Sequence, residues 1–205
     1  MRYWLPSRNI PTALAPSISG AMIAPITTTA FYPWLPSTWP TAPATVDEDF
    51  IKTLAEIFGT SVLGEIGNVI SDIEASNGTL EQRGHVVGIA LMCALDSISA
   101  YGYRGENVAK FVRAHFPPEY RPYAVELYKL YRVSLVHHWN LFAATIYPDQ
   151  TALHVENGTL AFGLLNFRDA LVNATENFLN HLETDAALQT NTLSRYEFLR
   201  QKARI

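Results

Sequence analysis

One cysteine, Cys93, among 205 residues leaves no partner for an internal disulfide, so nothing in the sequence asks for an oxidising compartment. A glycine-rich phosphate loop following a strand is missing, and so is G-x-S-x-G; neither a P-loop nor an α/β-hydrolase nucleophile is expected. His85, His115 and His154 have no partners at metal-ligand spacing, so the expectation is no metal site and no cofactor. No apolar run reads as long and clean enough for a membrane span, and no membrane partner is expected. Excess positive charge is lacking as well. Lys and Arg number 15 against 19 Asp and Glu, a balance that gives no global attraction to nucleic acid or to an anionic surface. No internal repeat is present.

Charge is unevenly placed along the chain. Acids dominate from Asp47 to Glu81. Bases lead from Arg104 to Arg132, and a second basic cluster, Arg195, Arg200, Lys202 and Arg204, closes the chain. Each cluster taken singly reads as a solvated face; together they leave room for a locally positive surface.

Residues 1–46 form a distinct segment. They hold eight of the 12 prolines and three of the 4 tryptophans, with only Arg2 and Arg8 charged. Proline at that density opposes helix and weakens strand pairing. Pro6, Pro11 and Pro16 interrupt any apolar stretch of a secretory signal, so the expectation is a cytoplasmic protein with an irregular N-terminal arm. Trp4, Phe31, Trp34 and Trp39 give that arm aromatic groups for docking on the domain or on a partner subunit. The folded domain is expected over residues 47–205.

Helical spacing begins at Asp47, an N-cap candidate ahead of Phe50, Ile51, Leu54, Ile57 and Phe58. Gly59-Thr60 reads as a break before Val62, Leu63, Ile66, Val69, Ile70 and Ile73. Thr79-Leu-Glu-Gln82 reads as a capping box. The helix it opens is apolar nearly all round and is expected at the centre. A short helix over Glu106 to Phe116 should turn Val108, Phe111 and Val112 inward. Pro117-Pro118 stops it. The most regular helix pattern then runs from Tyr120 to Trp139, with Pro122 in its first turn and Tyr123, Leu127, Leu130, Tyr131 and Ser134 as its stripe. Short strands are expected at Ala144 to Tyr147, Leu153 to Val155 and Thr159 to Phe162, with Asn157-Gly158 as a tight turn. Helical spacing returns with Phe167, Leu171, Ala174, Phe178 and Leu182, and again over Leu193 to Ala203. The whole reads as mainly α: a bundle of four to five helices with a small β-hairpin inserted after the Tyr120–Trp139 helix.

That helix carries Arg132 and His137. At five residues apart they sit about 140° apart around a helix axis, flanking the buried stripe. A long arginine side chain reaches past one turn, so guanidinium and imidazole can converge on one anion. The guanidinium is a permanently charged planar fork for phosphate oxygens. The imidazole titrates near neutrality, as general acid–base work requires.

Arg132-Val-Ser-Leu-Val-His137 fits R-x4-H, late in a helical chain, and resembles the HEPN superfamily, whose nuclease members carry R-x4-6-H in a small helical bundle. The surrounding L-Y-K-L-Y-R-V-S-L-V-H-H and the upstream A-L-D-S-I-S-A-Y-G are similar to a group of uncharacterised bacterial HEPN-like proteins. The resemblance covers roughly Glu81 to Phe178. It implies a metal-independent endoribonuclease of the toxin or defence-effector kind, with RNA as substrate, a homodimeric cleft and an antitoxin protein as a further partner. Arg132 would hold the scissile phosphate and His137 would move the proton. Asp96, Ser134 and His138 are candidate supporting residues. Val133 departs from the pattern, because active members usually carry a polar residue after the arginine. The rival expectation is therefore a catalytically silent HEPN-like binding or scaffold module. In that reading Arg132 pairs with Asp96 and His137 satisfies a backbone carbonyl.

Overall fold

The computed structural model describes residues 40–75, 80–129 and 144–202. Asp47 opens the first helix as its spacing suggests: Oδ1 accepts the Phe50 N–H at 2.8 Å, and α1 runs Glu48–Ala55. The expected break at Gly59-Thr60 is not there. The chain continues as a π-helical segment, Glu56–Gly64, into α2, Glu65–Ala75. Its cause lies in the apolar spacing. Leu54 and Phe58 are four apart, but the next core residue, Leu63, is five further on, and all three are buried. A 3.6-residue helix would aim Leu63 away from the core; one wider turn brings it back. Gly64, without a Cβ, lets its backbone lie against the Gly59 carbonyl, which a Cβ would meet at 3.0 Å.

Helix α3, Leu80–Gly102, is the central element. It packs against α2, α4, α6, α7 and the first strand. Val87, Leu91, Ala94, Leu95, Ile98 and Tyr101 are buried on one broad face that Met92 widens, while Val86 on the opposite side is exposed. By length and composition alone Arg83–Gly102 would suffice to cross a membrane, where the sequence reading expected no such run. In this fold that apolar surface forms the core. Gly105 and Glu106, both with positive φ, turn the chain into α4, Asn107–His115, with Val108, Phe111 and Val112 fully buried as expected. A 3-10 turn, Pro118–Tyr123, contains Pro122 and leads into α5, Ala124–Lys129, whose Ala124 and Leu127 are buried. The remainder of the Tyr120–Trp139 stretch, from residue 130, lies outside the described residues.

The β element is larger than a hairpin. Strands β2 (His154–Glu156) and β3 (Thr159–Gly163) form the expected antiparallel pair across Asn157-Gly158, whose φ values of 50° and 79° suit a two-residue hairpin turn. Strand β1, Ala144–Tyr147, then pairs in parallel with β3, Ala144 opposite Leu160 and Ile146 opposite Phe162. The order is β1-β3-β2. The segment joining β1 to β2 crosses the end of β3. Gly163 N–H donates to Thr151 O at 2.8 Å, and Leu165 N–H to Asp149 O at 3.2 Å. Helix α6, Leu164–Leu182, starts directly from β3, and α7, Ala186–Lys202, follows with Asp185 accepting from its first backbone amides. Phe167, Leu171, Ala174, Phe178 and Leu182 line the buried face of α6, the spacing read from the sequence. The fold is thus mainly helical with a small three-stranded sheet.

Two asparagines tie the helices end to side. Asn177 Nδ2 on α6 donates to the carbonyl of His115, the last residue of α4, and Asn191 Nδ2 on α7 donates to that of Gly102, the last of α3, both at 3.0 Å. Those carbonyls have no intrahelical partner, and side-chain donors from neighbouring helices satisfy them. Residues ahead of Asp47 also join the core: Ala42 and Val46 pack on it, and Tyr196 Oη donates to Pro40 O at 3.0 Å.

Candidate functional site

Arg132, Ser134, His137 and His138 lie outside the described residues, as does Val133. Asp96 is described. It sits half-buried on α3, where Asn107, the first residue of α4, brings its Nδ2 to 3.1 Å from Asp96 Oδ1 and from Ser99 Oγ. Asp96 therefore helps hold the start of α4 to α3, a join with no signal in the sequence.

Asp96 also lines a cavity of about 480 Å³ between the α3–α4 turn and α7. Two guanidinium groups reach it from different elements. Arg104, in the turn, donates from Nη2 to Ser194 Oγ at 3.0 Å. Arg195, on α7, lies with its guanidinium carbon 5.3 Å from the centre of the Phe198 ring. Its Nε is buried with no hydrogen-bond partner. Among the described residues neither arginine forms an ion pair. Tyr101, at the back of the cavity, has its hydroxyl pushed well above the usual tyrosine range by burial, and the charge of Arg195 opposes that rise. The cavity thus offers guanidinium charge, amide groups and an aromatic rim, the equipment of an anion-binding crevice.

Behind it a polar chain runs from the half-buried Tyr103 through the buried His115 to the exposed His181. Tyr103, another residue of the cavity wall, is 2.8 Å from His115 Nε2 through its hydroxyl, and His115 Nδ1 is 3.2 Å from His181 Nδ1. His115 is buried and ringed by Phe111 and Phe178. Burial first, and the neighbouring His181 second, lower its pKa from 6.5 to about 4, while the Asp185 carboxylate pulls the other way. Burial pushes Tyr103 up to about 12, with the Asp185 charge adding to it. Both nitrogens of the neutral His115 ring have partners, which suits a structural histidine. Among the described residues no group of His, Cys, Asp and Glu is arranged to hold a metal ion.

Sequence reasoning passed over this cavity. Arg104 opens one basic cluster and Arg195 the other, so the charge was visible, but the 91 positions between them hid their convergence. The His115–His181 pair carries no sequence signal at all. No family model, no curated protein and no solved structure matches the chain.

Proposed function

We propose that this chain is an HEPN-type, metal-independent endoribonuclease, a helical bundle acting on RNA as a homodimer, with Arg132 and His137 as its catalytic pair. The observation that carries the reading is Arg132-x4-His137 in the segment that follows α5 in a mainly helical chain. Ala124 and Leu127 of α5 are buried, and Leu130, Tyr131 and Ser134 continue the same spacing in the sequence. Arg132 binds the scissile phosphate and stabilises charge developing on its oxygens. His137 accepts the proton of the attacking 2′-hydroxyl or delivers one to the departing 5′-oxygen. Bond formation at phosphorus by the 2′-oxygen and loss of the 5′-oxygen leave a 2′,3′-cyclic phosphate and a 5′-hydroxyl. Ser134 and His138 adjoin the pair in sequence and serve as supporting groups. An antitoxin protein covering the same pair is the matching partner.

The test is incubation of the purified full chain with single-stranded and transfer RNA in EDTA. Cleavage to those ends, lost in Arg132→Ala and in His137→Ala, supports the enzyme. Intact RNA, or cleavage indifferent to both substitutions, ends it. Val133 favours the second reading, a catalytically silent HEPN-like binding or scaffold module, and that reading expects RNA to be left whole.

A further inference from the structure

We propose that the cavity between the α3–α4 turn and α7 is a binding site for a nucleoside monophosphate. The site stands apart from the Arg132/His137 reading and does not depend on it. It is an open cleft, and its volume of about 480 Å³ is enough to seat a small organic ligand.

Charge selects the class of ligand. Arg104 and Arg195 reach the cavity from the α3–α4 turn and from α7, and the acid on its wall, Asp96, is engaged by Asn107. Among the described residues these two cations form no ion pair and face a single carboxylate, so the crevice carries net positive charge. Arg104 has only the neutral Ser194 hydroxyl as its side-chain partner. Arg195 keeps a buried Nε–H with no acceptor, an arrangement that costs folding free energy until an acceptor arrives. A phosphomonoester supplies several acceptors and two negative charges, and guanidinium groups bind such oxygens as planar forks.

The rim extends the recognition beyond phosphate. Phe198 is an exposed aromatic residue of α7, 48% accessible. Arg195 lies 5.3 Å from its ring centre and Lys202 Nζ lies 5.8 Å from it. An exposed ring beside cations is a stacking platform for a base whose phosphate the cations hold. The amide nitrogens of Asn107 and Asn191 are already engaged, so the polar groups this wall offers a ribose are acceptors, the Asp96 carboxylate and the two amide oxygens.

The experiment is titration of the full chain by calorimetry with adenosine 5′-monophosphate, adenosine, ribose 5-phosphate and inorganic phosphate. The monophosphate is expected to bind about tenfold or more tightly than any of the other three, with affinity falling as salt rises. Arg104→Gln, at an exposed position, and Arg195→Gln should each weaken it about tenfold or more. Phe198→Ala should bring the monophosphate down to the affinity of ribose 5-phosphate while leaving ribose 5-phosphate itself unchanged. Circular dichroism confirms that each variant is folded; should Arg195→Gln unfold, the exposed Arg104 and Phe198 variants decide the matter. Adenosine binding as well as its monophosphate, no binding at millimolar concentration, or full affinity in folded Arg104→Gln overturns the proposal. RNA cleavage by the same Arg104 and Phe198 variants separates this site from Arg132 and His137, whose substitution should leave monophosphate binding intact.

Discussion

His115 and His181 face each other through their Nδ1 atoms at 3.2 Å, one at the end of α4 and the other near the end of α6. His115 is also 2.8 Å from the Tyr103 hydroxyl through Nε2. The two residues are 66 positions apart in sequence and join α4 to α6.

This contact should make stability depend on pH. Folding lowers the pKa of His115 from 6.5 to about 4, through burial and then through the charge of His181, opposed by Asp185. Between those values the unfolded chain binds the extra proton. The stabilising contribution is therefore complete above pH 6.5, is lost as pH falls toward 4, and changes no further below that. Its size is on the order of 3 kcal/mol. Denaturant titrations across this range should show the loss, and His115→Gln should flatten that part of the profile. An unchanged slope in the variant would remove His115 as the cause.

Two glycines differ in what surrounds them. A Cβ on Gly102 meets Phe178 Cε2 at 2.6 Å and Leu188 Cδ2 at 3.1 Å, both side-chain atoms. A Cβ on Gly163 collides with the Asp149 carbonyl oxygen and the Thr151 amide nitrogen, both backbone. Side chains give way and a crossing backbone does not. Gly102→Ala should cost about 1–3 kcal/mol. Gly163→Ala should cost more and should open the β1–β3 end of the sheet first, read by hydrogen exchange of the Gly163 and Leu165 amides.

The π-helical segment predicts an asymmetry between deletion and insertion. Leu54 and Ile66 are separated by 12 positions. Removing Gly59 shortens that to about three regular turns, so both side chains stay on one face and the helix becomes plain α. Deletion of Gly59 should leave a folded protein with thermal stability close to the parent. Insertion of one alanine after Gly59 rotates α2 by about 100° and exposes Ile66, Ile70 and Ile73. Thermal melts of the two variants distinguish these outcomes.

Residues 40–46 should count toward stability. Tyr196 Oη holds the Pro40 carbonyl at 3.0 Å, and Ala42 and Val46 pack on the core. The Ala42 N–H also adds to the contacts, led by Arg200, that hold the Glu197 carboxyl down at about 2. A chain beginning at Asp47 should unfold at lower denaturant than one beginning at Pro40. Tyr196→Phe in the longer chain should reproduce part of that loss, on the order of 1 kcal/mol. Equal midpoints for the two truncations would show that the segment contributes nothing.

Much of the local order was legible in the amino acids. Asp47 caps its helix, Val108, Phe111 and Val112 turn inward, Asn157-Gly158 makes the hairpin turn, and the α6 stripe is buried from Phe167 to Leu182. These follow from short-range rules: a side-chain oxygen near free amides, a 3.6-residue period, and two residues that tolerate positive φ. The Gly59-Thr60 expectation went the other way because glycine marks a break only when the core no longer needs the helix. Here Leu63 needs it, one residue out of phase.

What the order of residues could not contain is what meets across distance. Strand β1 pairs with β3 and packs on α3, and nothing in Ala144–Tyr147 names either neighbour. Arg104 and Arg195, Tyr103 and His115, and His115 and His181 come together only once α4, α6 and α7 have packed around α3. Packing of helices is set by the summed fit of whole faces, so the polar groups at their ends are placed as a consequence. The sequence by itself determined the Asp47 cap, the inward faces of α4 and α6 and the hairpin turn, and it carries the R-x4-H motif. Tertiary structure alone decided the parallel strand, the histidine pair and the cationic cavity.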